Sequence, residues 1–318
     1  TFDRYFNDRV GFRPELLALR RRILLDALGD STADLVWIGR DGWLFTNSIG
    51  PNSVPMPRDE SERRLAGWVE ALRTRRDWLA ARGIRYVVVI APEKSSVYPE
   101  FLPDAIRRHP PPDYSKFLKD QLGDLIDDPT AALVEAKATT PQLYFQLDTH
   151  WTDAGAFVTY RELERRLANE MPGFRAKPMH RFRPRAWQTP NCDLARALGR
   201  PPNLCEEAMA IYDVPHDPFA RLPNDPIMVQ LNRMENRLAH IEPLVVEAPS
   251  GIGRALFLHD SFGHNLKRML ASDFRRLVCA GTYGFPTDVI EAEKPDVVIQ
   301  LFVARAVTLA DAKPIRLE

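Results

Sequence analysis

The chain has 318 residues, of which 45% are hydrophobic and 27% are charged, so it is long enough to bury a substantial core. Its 43 basic residues balance its 43 acidic residues, and this neutral charge argues against nucleic acid as the main partner. No run of 18 apolar residues is present, which excludes a membrane-spanning helix within these residues. The length favours one large domain, or one domain that carries an insertion.

Residues 1–57 are predicted to form a helical and hairpin segment. Aromatic and leucine residues recur at helical spacing from Phe2 to Leu28, which indicates a helix that packs on the body or rests on a membrane surface. Two short apolar runs then flank Gly39-Arg-Asp-Gly42, a pattern typical of a β-hairpin. Because the chain starts at Thr1 rather than Met, we expect a signal or anchor segment upstream of it.

A helical pattern from Ser61 to Arg82 leads through Gly83 into the β-branched run Ile84 to Ala91. Such a run is typical of a parallel strand that is buried on both faces, so this order of elements predicts an α/β fold. The loop after this strand contains Lys94. Because ligands bind at the carboxyl ends of parallel strands, Lys94 is a candidate for substrate contact, with an ordinary solvated loop as the alternative.

The middle of the chain gives weaker signals. Tyr114 to Ile126 is predicted to be a helix, and Ala131 to Val134 a short strand. From residue 171 to about 253, prolines are dense and periodicity is weak, and short extended pieces are predicted at Ile227 to Leu231 and at Leu244 to Glu247. We interpret this stretch as an insertion that packs on the sheet and shapes access to a site.

A nucleophile is predicted at Ser261. The apolar run that starts at Arg254 ends on Asp260-Ser261 and is followed by a helical pattern from Asn265. A serine at such a turn lies at the carboxyl edge of a sheet, where its own N–H and the helix dipole favour a negative charge on a bound carbonyl. The alternative is that Asp260 or Ser261 only caps the helix.

A second apolar run, from Leu143, ends on Asp148-Thr-His150 before a helix predicted from Ala154 to Leu167. A serine hydroxyl needs a base, and an imidazole is held in the right tautomer by a carboxylate. From one strand end, Asp148 and His150 can fill these two roles. In the alternative reading they bind a metal, but the sequence offers no third ligand at useful spacing, so neither a metal nor a cofactor is expected.

Oxyanion donors are predicted around the last two strands, at Arg276 to Ala280 and Asp296 to Val303. In a parallel sheet both strands end near Ser261, whose own N–H is one candidate donor. The other candidates are a backbone N–H of the turn that starts at Gly281, the Tyr283 hydroxyl, and the side chains of Gln300 and Arg305.

The three cysteines give two expectations. Cys192 and Cys205 lie in a polar, proline-rich stretch and are candidates for a disulfide in an oxidising compartment. Cys279 ends an apolar run and is predicted to be a buried thiol.

Five segments in this order resemble the SGNH-like polysaccharide O-acetyltransferases of the alginate O-acetyltransferase AlgJ/AlgX family. They are Tyr5–Arg13, Gly39–Phe45, Pro92–Pro103, Asp148–Trp151 and His259–Phe262. The resemblance implies an SGNH-hydrolase-like (flavodoxin-like) α/β fold with a central parallel sheet flanked by helices. It implies one catalytic domain over residues 1–318, including the N-terminal segment and the insertion.

The same resemblance implies a catalytic triad of Ser261, His150 and Asp148. Here the Asp-x-His element precedes the serine, the reverse of ordinary SGNH hydrolases, and His259-Asp-Ser261 stands where those enzymes have Gly-Asp-Ser. Trp151, Lys94 and Arg305 are candidates for substrate binding. The implied location is the periplasm, with membrane association only through a segment upstream of Thr1, and the implied partners are a polysaccharide and a membrane protein that exports the acetyl donor.

The function that we expect is transfer of an acetyl group, through a serine acyl-enzyme, onto hydroxyls of a bacterial exopolysaccharide. One alternative is a polysaccharide acetylesterase that uses the same triad with water as the acceptor. Another is a non-catalytic polysaccharide-binding assembly subunit that keeps the fold.

Overall fold

A mixed β-sheet forms the centre of the molecule. The computed structural model describes residues 36–47, 58–140, 142–177, 182–189, 192–199, 206–213 and 219–312. Within these ranges the strands are β1 (Val36–Ile38), β2 (Leu44–Thr46), β3 (Arg85–Ala91), β4 (Ile126–Asp127), β5 (Phe182–Thr189), β6 (Glu206–Asp213), β7 (Ala220–Arg221), β8 (Leu244–Glu247), β9 (Arg254–His259), β10 (Arg276–Gly281) and β11 (Val297–Val303).

Seven of these strands form the central sheet, in the order β4-β3-β11-β9-β10-β8-β7. The first five run parallel to one another, while β8 and β7 add an antiparallel edge. If strands are counted from β9 to the end of the chain and then on to β3 and β4, the parallel strands lie in the flavodoxin-like order 2-1-3-4-5. The chain therefore has the expected α/β sheet, but its strands follow one another along the chain in a circularly permuted order.

Helices flank the sheet. They are α1 (Arg58–Ala80), α2 (Lys94–Val97), α3 (Asp104–Arg108), α4 (Tyr114–Leu122), α5 (Thr130–Ala136), α6 (Asp153–Glu170), α7 (Asp193–Ala197), α8 (Ile227–Arg233), α9 (Gly263–Leu270), α10 (Thr287–Glu293) and α11 (Ala306–Leu309), with 3₁₀ turns at Arg40–Gly42, Pro99–Phe101 and Gly123–Leu125. Helix α1 packs against β3 and α11, and α6 packs against α5 and α9. None of the helices in the described ranges combines the length and apolar character that crossing a bilayer requires.

The long apolar strands were the easiest elements to predict. Strands β3, β9, β10 and β11 lie within one or two residues of their predicted bounds, and every residue of β10 and β11 is buried. Helix α1 is followed at Gly83 by a positive φ of 70°, a conformation that glycine adopts readily.

Three predicted extended segments are wrong. Ala131 to Val134 lies inside helix α5, and Ile227 to Leu231 lies inside helix α8. The run from Leu143 is a loop in which Tyr144 makes a single bridge to Trp151, so Asp148 and His150 do not follow a strand. Short apolar runs fit a buried strand, a helix or a packed loop equally well.

The predicted insertion joins the sheet through β8 and β7, while β5 and β6 form a separate antiparallel ribbon that contacts α6. The predicted hairpin is confirmed as β1 and β2. The helix predicted from Phe2 to Leu28, the segment Tyr5–Arg13 and Cys205 lie outside the described residues. Cys192 and Cys279 are both buried, but the Cys192–Cys205 disulfide and the bounds of a single catalytic domain stay predictions.

Candidate active site

Ser261 lies in the short turn between β9 and α9, at the carboxyl edge of the sheet. Asp260 holds this turn in place, since its Oδ1 accepts the Phe262 N–H at 2.9 Å and its Oδ2 accepts the Val303 N–H at 2.7 Å. Burial raises the pKa of Asp260. Asp260 therefore supports the backbone of the turn, and the half-buried Ser261 beside it presents its hydroxyl towards His150.

On the carboxyl side of His150, the loop that carries it is fastened to the serine turn and to helix α9. The Trp151 indole donates to the Phe262 carbonyl at 3.0 Å. At the start of α6, Asp153 accepts hydrogen bonds from Asn265 and from Arg268, whose ion pair with Asp153 measures 2.6 Å. Thr152 caps α6 by accepting the Gly155 N–H. These contacts connect α6 to α9 and so fix His150 relative to Ser261.

The structure brings Asp148, His150 and Ser261 into one chain of hydrogen bonds, although the last two are 111 residues apart. His150 Nδ1 lies 2.7 Å from Asp148 Oδ1, and His150 Nε2 lies 2.8 Å from Ser261 Oγ. Because an ionised carboxylate only accepts, Nδ1 carries the proton and Nε2 accepts from the Ser261 hydroxyl. An unprotonated nitrogen in contact with a serine hydroxyl is the geometry that a general base requires.

The local charges make His150 more basic and keep Asp148 ionised. Burial disfavours charge on His150, but the hydrogen bond and charge of Asp148, helped by the charge of Asp193, outweigh it, so the pKa of His150 is raised. Burial also opposes ionisation of Asp148, yet hydrogen bonds from His150 and from the Asp193 N–H outweigh it and lower the pKa of Asp148. The pair is therefore suited to hold a proton taken from the serine.

Sequence reasoning missed Asp193, which belongs to the predicted insertion. Its backbone N–H donates to Asp148 Oδ2 at 2.8 Å, and its carboxylate accepts the Thr149 N–H at 2.7 Å. A carboxylate oxygen of Asp193 lies 3.9 Å from His150 Nδ1. No spacing in the proline-rich stretch around Asp193 indicated that it would lie next to residues 148–150.

Asp193 also corrects one argument made from the sequence. Together, Asp148, His150 and Asp193 bring three possible ligand atoms within 4.8 Å of one another, so the third ligand that the sequence lacked is supplied by the fold. Each group already has a hydrogen-bond partner, because Asp148 accepts from His150 and Asp193 accepts from Thr149. The arrangement is thus satisfied by the protein's own donors.

The oxyanion candidates differ in what they can offer. Within the described part of the chain the Ser261 N–H has no acceptor, so it can donate to a bound oxyanion. The Tyr283 hydroxyl faces Asp260 Oδ2 at 3.5 Å. Gly281 pairs with His259 inside the sheet, and the buried Gln300 accepts a hydrogen bond from Arg75, so neither of these two faces the serine.

The substrate-binding candidates Lys94 and Trp151 are buried, with exposed fractions of 3% and 1%. The Lys94 ammonium donates to the carbonyls of Phe145, Gln146 and Asp148 at 2.9, 3.1 and 2.7 Å. Burial therefore contradicts the predicted contact of these two side chains with substrate. They hold the His150 loop instead.

Arg305, the third candidate, follows β11 at the same edge of the sheet as Ser261. Its guanidinium pairs with Glu93 at 2.8 Å and lies 5.6 Å from the centre of the Phe262 ring. Burial raises the pKa of Asp260, and Asp148 raises that of His150; the positive charge of Arg305 opposes both of these rises. Arg305 thus lies close enough to the serine turn to influence a charge that forms there.

Comparison with known proteins fits this architecture. Residues 36–213 match the family model described as SGNH hydrolase-like domain, acetyltransferase AlgX. A probable alginate O-acetylase AlgJ from Pseudomonas fluorescens is 29% identical over 142 residues, which are 43% of this chain and 34% of that protein. The matched region thus spans about a third of the curated relative's length.

Two solved structures share the fold. The O-acetyltransferase domain of Pseudomonas putida AlgJ aligns with a TM-score of 0.56 and 20% identity, covering 87% of this chain and 93% of that one. Bacillus cereus PatB1, solved with a sulfonyl adduct, aligns with a TM-score of 0.59 and 14% identity, covering 83% of this chain and 94% of that one. Since the matched family model covers more than half of the chain, this protein belongs to the SGNH hydrolase-like acetyltransferase AlgX family.

Proposed function

We propose that this protein is an O-acetyltransferase that moves an acetyl group through a serine acyl-enzyme onto hydroxyls of an exopolysaccharide. The observation that carries the proposal is the continuous hydrogen-bond chain from Asp148 through His150 to Ser261. Family membership and the likeness to probable alginate O-acetylases support acetyl transfer as the reaction and alginate-like polymers as acceptors. No cofactor is needed for this chemistry.

The reaction is a double displacement. His150 Nε2 takes the Ser261 proton while Ser261 Oγ attacks the acetyl carbonyl of a donor ester. The tetrahedral intermediate collapses, the donor alcohol leaves with the proton from His150, and an acetyl-serine remains. In the second half, His150 takes a proton from a sugar hydroxyl, whose oxygen attacks the acetyl-serine. The bond between the acetyl carbon and Ser261 Oγ then breaks, and His150 returns the proton to Oγ.

Each half-reaction forms an oxyanion and an imidazolium. Asp148 stabilises the imidazolium across the 2.7 Å hydrogen bond to Nδ1. The Ser261 N–H, at the start of α9, is the donor that we assign to the oxyanion, and the positive charge of Arg305 lies nearby.

The setting follows from the same proposal. The proposed site of the reaction is the periplasm, and the proposed partner is a membrane protein that supplies the acetyl donor.

Replacement of the nucleophile tests the mechanism. Ser261→Ala should lower acetyl transfer from a chromogenic acetyl ester by at least about a thousandfold, because both half-reactions need Oγ. Ser96→Ala, which removes a half-buried hydroxyl from helix α2, is the matched control and should behave as wild type. A Ser261→Ala protein with near wild-type transfer would exclude the acyl-enzyme.

The acceptor is tested with the same ester in the presence and absence of an alginate oligosaccharide. Mass spectrometry should then find acetyl groups on the sugar. Acetate release without any acetylated sugar would assign the site to an acetylesterase.

A further inference from the structure

Asp193 forms hydrogen bonds with Asp148 and Thr149, the two residues that precede His150 in the chain. Its backbone N–H donates to Asp148 Oδ2, and both of its carboxylate oxygens accept from Thr149, Oδ1 from the N–H at 2.7 Å and Oδ2 from the hydroxyl at 2.5 Å. This Oδ2 is also the carboxylate atom that lies 3.9 Å from His150 Nδ1. One residue therefore fixes the backbone on the amino side of His150 and places a second negative charge beside its ring.

Helix α7, which begins at Asp193, is itself held by a small core separate from the main one. This core consists of Val36, Leu44, Cys192, Leu194, Ala195 and Leu198, so it joins the β1–β2 hairpin to α7. The Ala195 N–H also donates to the Leu147 carbonyl at 3.1 Å. The hairpin and the insertion thus hold the His150 loop from the side opposite to the Ser261 turn.

We propose that Asp193 is a positioning residue for His150, which aligns Asp148 and Thr149 and stabilises the protonated imidazole with its charge. The idea rests on the proposed function of the triad. It gives the insertion a direct part in the reaction, since without α7 the carboxylate of Asp148 would lose a backbone donor and His150 would lose one of its neighbouring negative charges.

The charges around His150 show why the second carboxylate matters. Asp148 and Asp193 favour the imidazolium from the loop side, and Asp260 adds a carboxylate from the serine turn. Arg305, at the end of β11, opposes it. His264, on α9, has its pKa lowered to about 4, chiefly by burial, and so is a neutral neighbour at higher pH. Because the half-buried imidazole is already disfavoured as a cation, removal of one carboxylate shifts this balance towards the neutral ring.

Asp193→Asn tests the proposal, since the amide has almost the same shape and lacks the charge. The acidic limb of kcat/KM for an acetyl ester should move to lower pH by about half to one unit. We expect kcat to fall roughly tenfold, the equivalent of about one pKa unit, with little change in KM. Asp193→Glu keeps the charge and should keep the acidic limb within a few tenths of a unit of wild type.

Asp113→Asn is the matched control, because Asp113 also accepts a backbone N–H at the start of a helix, α4. It should leave the pH profile unchanged. An Asp193→Asn enzyme whose kcat falls without any shift of the limb would assign Asp193 a purely structural role and overturn the proposal.

Histidine NMR separates this inference from the proposed function. In a Ser261→Ala background, titration of His150 should still show a lower pKa in Asp193→Asn than in the protein with Asp193 intact. An unchanged titration overturns the role of Asp193 whatever the activity of Ser261→Ala, whereas an active Ser261→Ala enzyme overturns only the acyl-enzyme.

Discussion

At the scale of single residues, Asp148 is the most constrained group in the site. Its Oδ1 accepts from both the ring and the backbone N–H of His150, and its Oδ2 accepts from the Asp193 N–H. All of these partners are donors, so both terminal atoms of the side chain at position 148 must be acceptors. A side chain with one donor and one acceptor cannot satisfy it.

Asp148→Asn should therefore abolish most of the activity while it keeps the fold. If the amide nitrogen faces His150 Nδ1, the ring must place its proton on Nε2, where it can no longer accept from Ser261. If the amide nitrogen faces Asp193, two N–H donors meet. We expect kcat to fall by about three to four orders of magnitude. Asp120→Asn, at an exposed partner of Lys116, is the control, and a loss of less than tenfold in Asp148→Asn would contradict the assigned role.

The sequence made Ser261, His150 and Asp148 visible because each lies next to an apolar run that ends abruptly on polar residues. Asp193 has no such setting. It reaches the site only because α7 packs on the β1–β2 hairpin, a contact between segments about 150 residues apart. Local patterns do not encode such pairings.

At the scale of elements, the His150 loop explains why an apolar run did not become a strand. The carbonyls of Phe145, Gln146 and Asp148 all accept from the Lys94 ammonium, and the Gln146 carbonyl also accepts the Leu44 N–H of β2, so these carbonyls are satisfied without a continuous strand ladder. Tyr144 meanwhile buries its ring, and its hydroxyl donates to the Pro92 carbonyl. Apolar composition predicted the burial of this segment correctly but could not predict its backbone partner.

Lys94→Met should loosen this loop, because methionine fills similar space but leaves the buried carbonyls of Phe145 and Asp148 without the Lys94 donor. The Gln146 carbonyl keeps the Leu44 N–H. We expect the free energy of unfolding to fall by about 2–4 kcal/mol, since a buried polar group without a partner costs about 1–3 kcal/mol. Activity should fall as well. Urea denaturation measures the first effect and ester turnover the second. Lys116→Met, at an exposed position on α4, is the control, and equal stability of the two variants would exclude this role for Lys94.

At the scale of the whole molecule, the order of the strands in the sheet determines where the site forms. Strand β9 lies between β10 and β11, so the chain passes from β9 to β10 on one side and then crosses to β11 on the other side of β9. Such a reversal opens a crevice at the carboxyl ends of the strands, and Ser261 and Arg305 follow the two strands that border it. The long strands β3, β9, β10 and β11 were predictable from the sequence, but the neighbours of each strand were not, because strand order depends on long-range pairing.

His259, at the end of β9, should make the stability of the protein depend on pH. Its ring is fully buried and stacks on Phe257, and Nδ1 donates to the Asp260 carbonyl at 2.7 Å. Burial lowers its pKa to about 3. On acidification the unfolded chain therefore binds a proton first, near the ordinary histidine pKa of about 6.5. This part of the stability is present above that pH and is lost as the pH falls towards 3.

Between pH 6.5 and pH 5, His259 alone should remove about 2 kcal/mol from the free energy of unfolding, at about 1.4 kcal/mol per pH unit. The free energy of unfolding of His259→Gln should fall by correspondingly less over this interval, because glutamine does not titrate. This holds even if the variant is less stable than wild type at neutral pH. Urea denaturation at pH 7, 6 and 5 gives the slopes. His109→Gln removes an exposed histidine and should keep the wild-type slope. If both variants lost stability in parallel with wild type, the proposed effect of His259 would be excluded, because His259 would then have to gain its proton in the folded state. The protonated ring would need an acceptor at Nε2. That atom is buried and has no partner among the described residues.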